Sequence, residues 1–261
     1  MALDRRRLLM LVGGGFVVAA GGGIGGFVST RTPNRALAPW TSAGRYEDSR
    51  KRALSYALLA PNPHNRQPWI AELVGETVVT LYRDQNRDLP ETDPFDRQLT
   101  IGMGCFIELF IQAAAEENRG VNLELFPDGV AADLPVAHLR IEGMAAPDPL
   151  FREVLNRHTN RDPYDLERPV SPKSIETMVG STGAGVRASG SSEPALVENI
   201  RKLALGAMIL ETETPRTHKE SVDLMRIGRA EIEANPDGIS LGGPLMEALG
   251  ILGSVDEFFM N

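Results

Sequence analysis

The sequence predicts an α+β fold, with a mixed sheet flanked by helices around one buried central helix. Three observations carry this reading. Runs that alternate apolar and polar residues come in pairs, first in "PWIAELVGETVVTLYRD" and again in "VNLELFPD" and "VAHLRIEG". Between the pairs lies "DRQLTIGMGCFIELFIQAAAEENRG", apolar nearly all round through Ile107, Leu109, Phe110, Ile111 and Ala113 to Ala115, the mark of a buried helix. Helical spacing then dominates from Glu193 to Ala234. A chain of 261 residues, 42% hydrophobic and 24% charged, is globular and long enough for one large domain or two small ones.

The elements follow in order. "DRRRLLMLVGGGFVVAAGGGIGGFV" sets arginines directly before an uncharged run from Leu8 to Val28, and Asp4 to Leu9 resembles a twin-arginine export signal. The run has about the 20 residues a helix needs to span a bilayer, but its glycines keep it only mildly hydrophobic. "ALA" at Ala36 to Ala38 offers a cleavage pattern, yet Pro39 follows directly and disfavours cutting, so the reading leans to a retained membrane anchor. "GGGIGG" fits the dinucleotide glycine pattern only formally, because it lacks the strand before it and the helix after it. After a linker ending near Gly44, "EDSRKRALSYALLA" reads as a helix.

"APNPHNRQPW", Ala60 to Trp69, then stops that helix. Its three prolines predict an extended, stiff loop that displays Asn62, His64, Asn65 and Gln67 at low entropy cost. The plainer alternative is a helix terminator leading into an edge strand, with Trp69 packing into the core. The hairpin turns at Gly75, and the long helix is stopped by Gly120.

In the second half, Phe151, Val154 and Leu155 form a short apolar helical face ahead of "RHTNRDPY", and Ser171-Pro172 starts another helix as N-cap and first turn. Arg157, His158, Thr159 and Arg161 group anion-binding donors, or else form a solvated helix end. "ETETPRTHKES" is read as the connection between two helices with a solvated face. The chain finishes on Phe258-Phe259-Met260, so this end is expected either to be truncated or to be covered by a partner subunit.

Several functions are excluded. A net charge of -8, with the basic tail counted, argues against a nucleic-acid phosphate surface. A single cysteine, Cys105, forbids an intrachain disulfide and a cysteine zinc cage, and on its apolar helix it reads as a core residue. His64, His138, His158 and His218 lack metal-ligand spacing, so no metal site is expected.

"RHTNRDPYDLERPVSPKSIETMV" resembles the flavin-phosphate segment of FMN-dependent nitroreductases, in which an Arg-x-Ser/Thr-x-Arg/Lys-x-Phe/Tyr run precedes a Pro-led helix. Tyr164 here falls one residue late. "APNPHNRQPW" is similar to that family's second flavin segment, Ala-Pro-Ser-x-x-Asn-x-Gln-Pro-Trp, with Asn62 where serine is usual. The usual order is reversed, as in the exported, internally duplicated branch in which each half keeps one segment. The resemblance runs from about Tyr46 to Gly250. It implies residues 1–44 as signal or anchor with linker, 45–145 as a first nitroreductase-like half and 146–261 as a second.

By the same resemblance the cofactor is FMN. Arg157, His158, Thr159 and Arg161 would hold its phosphate, and Asn62, His64, Asn65 and Gln67 would bond the ribityl chain or ring edge. Trp69 reads as structural support. The implied activity is hydride transfer through flavin from a small-molecule donor to a nitroaromatic- or quinone-like acceptor, with no catalytic nucleophile or triad. The implied location is the periplasm or the outer face of the cell membrane, reached through the twin-arginine export machinery. Two other readings stay open: a protein that binds FMN without turnover, and an anchored scaffold without cofactor. Donor, acceptor and oligomeric state, a homodimer included, are left open.

Overall fold

A computed structural model describes residues 32–160, 163–183 and 185–242, which form two compact units. The first unit comprises the chain up to Arg157 together with the segment from Ser221 onward. The second runs from His158 to Glu220. The arginine-led run Leu8 to Val28, Arg161 and the apolar end from residue 243 lie outside the described residues.

The first unit opens with a short helix α1 (Ala38–Ser42) and helix α2 (Ser49–Ala57). Asp48 caps α2, accepting from the backbone N–H of Arg50 at 2.8 Å, and also pairs with the Arg50 guanidinium at 2.7 Å. Arg50 in turn donates to the Gly75 carbonyl at 2.6 Å, which ties the helix to the hairpin turn.

The expected hairpin forms as β1 (Trp69–Val74) and β2 (Val78–Arg83), paired antiparallel from Trp69↔Arg83 to Val74↔Val78. Strands β3 (Val121–Leu125) and β4 (Ala137–Ile141) complete an antiparallel sheet in the order β1-β2-β4-β3. Val79 pairs with Leu139 and Leu81 with Ala137, so alternate residues of the two inner strands point to one buried face.

Helix α3 (Arg97–Ala115) fills that face with Met103, Phe106, Ile107 and Phe110, and Ala53 and Ala57 of α2 share the same core. Its first turn is capped by buried Asp93, whose carboxylate accepts from the N–H groups of Arg97 at 3.0 Å and Leu99 at 2.9 Å. Among the described helices α3 is long and apolar enough to cross a membrane. Here it is the core helix of the unit.

Within the second unit, α4 (Pro172–Gly180) begins as the sequence indicates, with the Ser171 hydroxyl accepting from Ser174 N–H at 3.1 Å. Helix α5 (Pro194–Glu213) is capped by Glu193. Two expectations for this stretch are corrected. "ETETPRTHKES" is not a connection: the helices part only at Thr214, and Pro215 opens α6 (Pro215–Asp223), which begins in this unit and ends in the first. The cause is steric, since the residue before a proline is driven out of the helical region, and Thr214 takes φ -83° and ψ 114°.

The helical run also does not reach Ala234 unbroken. Back in the first unit, β5 (Met225–Ile227) precedes α7 (Gly228–Ala234) and pairs in parallel with β6 (Ile239–Leu241). Antiparallel and parallel pairings are thus both present, but in separate sheets. Leu224 packs with Leu89 and Leu99, which seats this late segment at the N-terminal end of α3.

Candidate functional site

The proline loop departs from the extended form expected of it. Asn62 is extended, but Pro63–Asn65 is a turn of 3-10 helix, and His64, Asn65 and Gln67 take φ of 47°, 51° and 51°. Left-handed backbone costs a residue with a Cβ about 1–2 kcal/mol, so such a run persists only where its surroundings enforce it. Prolines fix their own φ and restrict the residue before them, but they leave His64 and Asn65, which precede no proline, free to turn.

Asn62 closes the turn from within: its Oδ1 accepts from Gln67 N–H at 2.7 Å and its Nδ2 donates to the Ala60 carbonyl at 3.1 Å. The loop lies against α3, where Gly102 leaves room for Asn62 and Pro63. Trp69, at the start of edge strand β1, meets the ring of Phe106 with centroids 4.8 Å apart, in keeping with a structural role.

The turn Asn235 to Gly238 holds the loop from outside. The Pro236 carbonyl accepts from Gln67 Nε2 at 2.8 Å and Asn65 Nδ2 at 3.3 Å. Gly238 N–H donates to the Asn65 carbonyl at 3.2 Å. Gly238 has φ +80°, and its hydrogen faces the Leu224 carbonyl too closely for any side chain. Beside this seam, Asp237 accepts from Arg66 at 2.7 Å and Arg226 at 3.1 Å, with Arg87 at 3.6 Å.

The remaining Arg66 N–H groups reach the carbonyls of Arg87 and Asn86. Burial lowers the pKa of the Arg66 guanidinium, and the Asp237 charge opposes that shift. Sequence reasoning missed Arg66, Asp237 and Gly238; the one signal available was the turn-forming "PDG".

Arg157 is the member of the arginine segment that the first unit contains. Val154, buried in the core, anchors the 3-10 turn Phe151–Glu153, and Phe151 packs edge-on against Tyr56 at 4.8 Å. The chain therefore returns to the proline loop, where Arg157 Nη2 donates to the Leu59 carbonyl at 2.6 Å. Its Nε is buried without a hydrogen-bond acceptor, and among the described residues no carboxylate pairs with it.

Burial pushes the Arg157 pKa down. The neighbouring Cys105 thiol is pushed up by burial, with Arg157 opposing. Cys105 is half-buried against the core, as expected of a packing residue. His158 and Thr159 are exposed residues at the start of the second unit. The fold thus gathers Asn62, His64, Asn65, Gln67 and Arg157 in one unit. Among the described residues no cluster of His, Cys, Asp or Glu could hold a metal.

The chain is an α+β protein whose likeness to known proteins is partial. No family model matches it. Over 80 residues, 30% of its length, it is 38% identical to the Mycobacterium tuberculosis protein named "Putative NAD(P)H nitroreductase acg", of which it covers 23%. Over 125 residues, 44% of its length, it is 30% identical to "Uncharacterized protein Rv3127" of the same organism, of which it covers 35%. The chain thus spans about a third or less of the length of these relatives.

Proposed function

We propose that the protein is an FMN-dependent oxidoreductase that passes hydride from a small-molecule donor to a nitroaromatic- or quinone-like acceptor. One observation carries the reading. The Arg157 guanidinium is fixed to the Leu59 carbonyl at the mouth of the proline loop, with a buried Nε uncommitted and, among the described residues, no carboxylate to balance it. A cation desolvated in this way fits an anionic ligand, and a flavin phosphate is one. The partial likeness to a protein named as an NAD(P)H nitroreductase supports the same class.

In this proposal Arg157, His158, Thr159 and Arg161 hold the phosphate. His64, Asn65 and Gln67 border the ribityl chain or ring edge, and Asn62 shapes the loop they stand on. Both Gln67 Nε2 hydrogens are donated, to Pro236 and to Asn65, so its Oε1 is the atom left to receive a ligand donor. Bound FMN supplies the hydride chemistry, and the chain binds and orients it. The absorbance of the purified full chain, then anaerobic mixing with NADPH, tests the reading. A yellow protein that bleaches rapidly supports the oxidoreductase, and a protein that neither is yellow nor binds added FMN overturns it.

The second reading is FMN binding without turnover, favoured by the arginine-led N-terminus, because nicotinamide donors are scarce outside the cytoplasm. A yellow protein that millimolar donor fails to bleach supports it. Export belongs to the same proposal: changing Arg5 and Arg6 to lysine should leave the protein cytoplasmic, as cell fractionation reads. Unchanged accumulation outside the cytoplasm would remove the twin-arginine route.

A further inference from the structure

We infer that Asp237 is a positioning residue for the proline loop: through Arg66 it holds His64, Asn65 and Gln67 in the left-handed conformation in which the loop meets its ligand. The inference takes from the flavin reading only the identity of that ligand. Arg66 sits between two left-handed residues, Asn65 and Gln67, so any rotation of its backbone swings both. Its side chain is locked at all three nitrogens, to Asp237 and to the carbonyls of Arg87 and Asn86, and is only 11% exposed.

Asp237 is the member of this set that carries charge. Three guanidiniums converge on one carboxylate that is 18% exposed, Arg66 and Arg226 within hydrogen-bonding distance and Arg87 at 3.6 Å. Arg87 has a second carboxylate, Asp84, at 3.2 Å, whereas among the described residues Asp237 is the carboxylate that pairs with Arg66 and Arg226. Remove that charge and the guanidiniums of Arg66 and Arg226 face each other without their carboxylate in a half-dry pocket, which drives Arg66 outward and the loop with it. The hydrogen bonds of Pro236 and Gly238 to Gln67 and Asn65 lie on the same turn and would part together.

The test uses the full chain and three proteins: the parent, Asp237→Asn, which keeps the shape and loses the charge, and Asp237→Glu, which keeps the charge. The first readout needs no flavin. Trypsin cleavage after Arg66, followed by mass spectrometry under native conditions, should be about tenfold faster in Asp237→Asn, because cutting there requires the loop to open. Asp237→Glu should return most of the protection.

The second readout is titration with FMN and with riboflavin, followed by the visible band. Asp237→Asn should bind both about tenfold more weakly, since the loop borders the part the two ligands share. Its thermal midpoint should stay within about 4 °C of the parent's. Unchanged cleavage and unchanged affinity in Asp237→Asn would overturn the inference. So would faster cutting spread equally over Arg83 and Arg140 of the sheet with a large fall in midpoint, which is general unfolding. If no protein of the three binds flavin yet Arg66 alone becomes labile, the flavin reading fails and the hold of Asp237 on the loop stands.

Discussion

A Cβ on Gly102 would lie 3.0 Å from the Cβ of Asn62, so at this contact between the central helix and the proline loop a residue without a side chain meets one whose amide is held at both its oxygen and its nitrogen. Gly102→Ala gains about 1 kcal/mol of helix propensity but overpacks a contact that cannot retreat, at about 1–3 kcal/mol. A net loss of about 1 kcal/mol is expected. Gly104 has nothing within 4 Å of its Cβ position, so Gly104→Ala should stabilise by up to about 1 kcal/mol. Urea denaturation of the pair reads the opposite signs. Equal stabilisation by both would mean that the loop yields freely.

Arg157→Ala should weaken FMN far more than riboflavin, because only FMN carries a phosphate. A charge-assisted hydrogen bond contributes about 1.5–3 kcal/mol, so a roughly ten- to hundredfold loss is expected for FMN. Calorimetric titration with the two ligands decides. Equal losses would place Arg157 away from the phosphate.

Cys105 should react slowly. Burial holds its thiol above the ordinary cysteine value, so little thiolate is present at pH 8. Modification by an aromatic disulfide reagent should run at least about tenfold slower than for a free thiol, and Cys105→Ser should keep flavin affinity. Rapid labelling at pH 7 would contradict the burial assigned to it.

Asp48 gives a pH-dependent contribution to stability. Its hydrogen bond to the Arg50 side chain holds the carboxyl at about 2, against an ordinary 3.8. The folded value is depressed, so the stabilisation is complete above pH 4 and is lost as pH falls through 2. Asp48→Asn keeps a cap and removes the ion pair. It should cost about 1 kcal/mol at pH 7, allowing for solvent screening, and almost nothing near pH 2. A cost independent of pH would assign the effect to capping alone.

The sheet, the central helix and the Ser171 cap were legible because each depends on neighbours in sequence: alternation sets β1 to β4, and an all-round apolar run sets α3. The proline loop was legible as a loop and as a place where side chains gather. Its handedness was not, because Asn65 and Gln67 are held by contacts with Pro236 and Gly238 that no local pattern encodes. The anchoring of Arg157 on Leu59 is hidden for the same reason. Thr214 shows the converse: one proline was enough to mark the break, but the charged residues around it masked two helices as a connection.

The seam between Asn65 and the Asn235 to Gly238 turn also sets a timetable. Arg66 and Asp237 are 171 residues apart, so the proline loop leaves the ribosome early and waits in an unfinished state while most of the chain is made. Its geometry is completed only when the late turn emerges and docks. A nascent chain stalled before Pro236 therefore carries every loop residue without the loop's final shape.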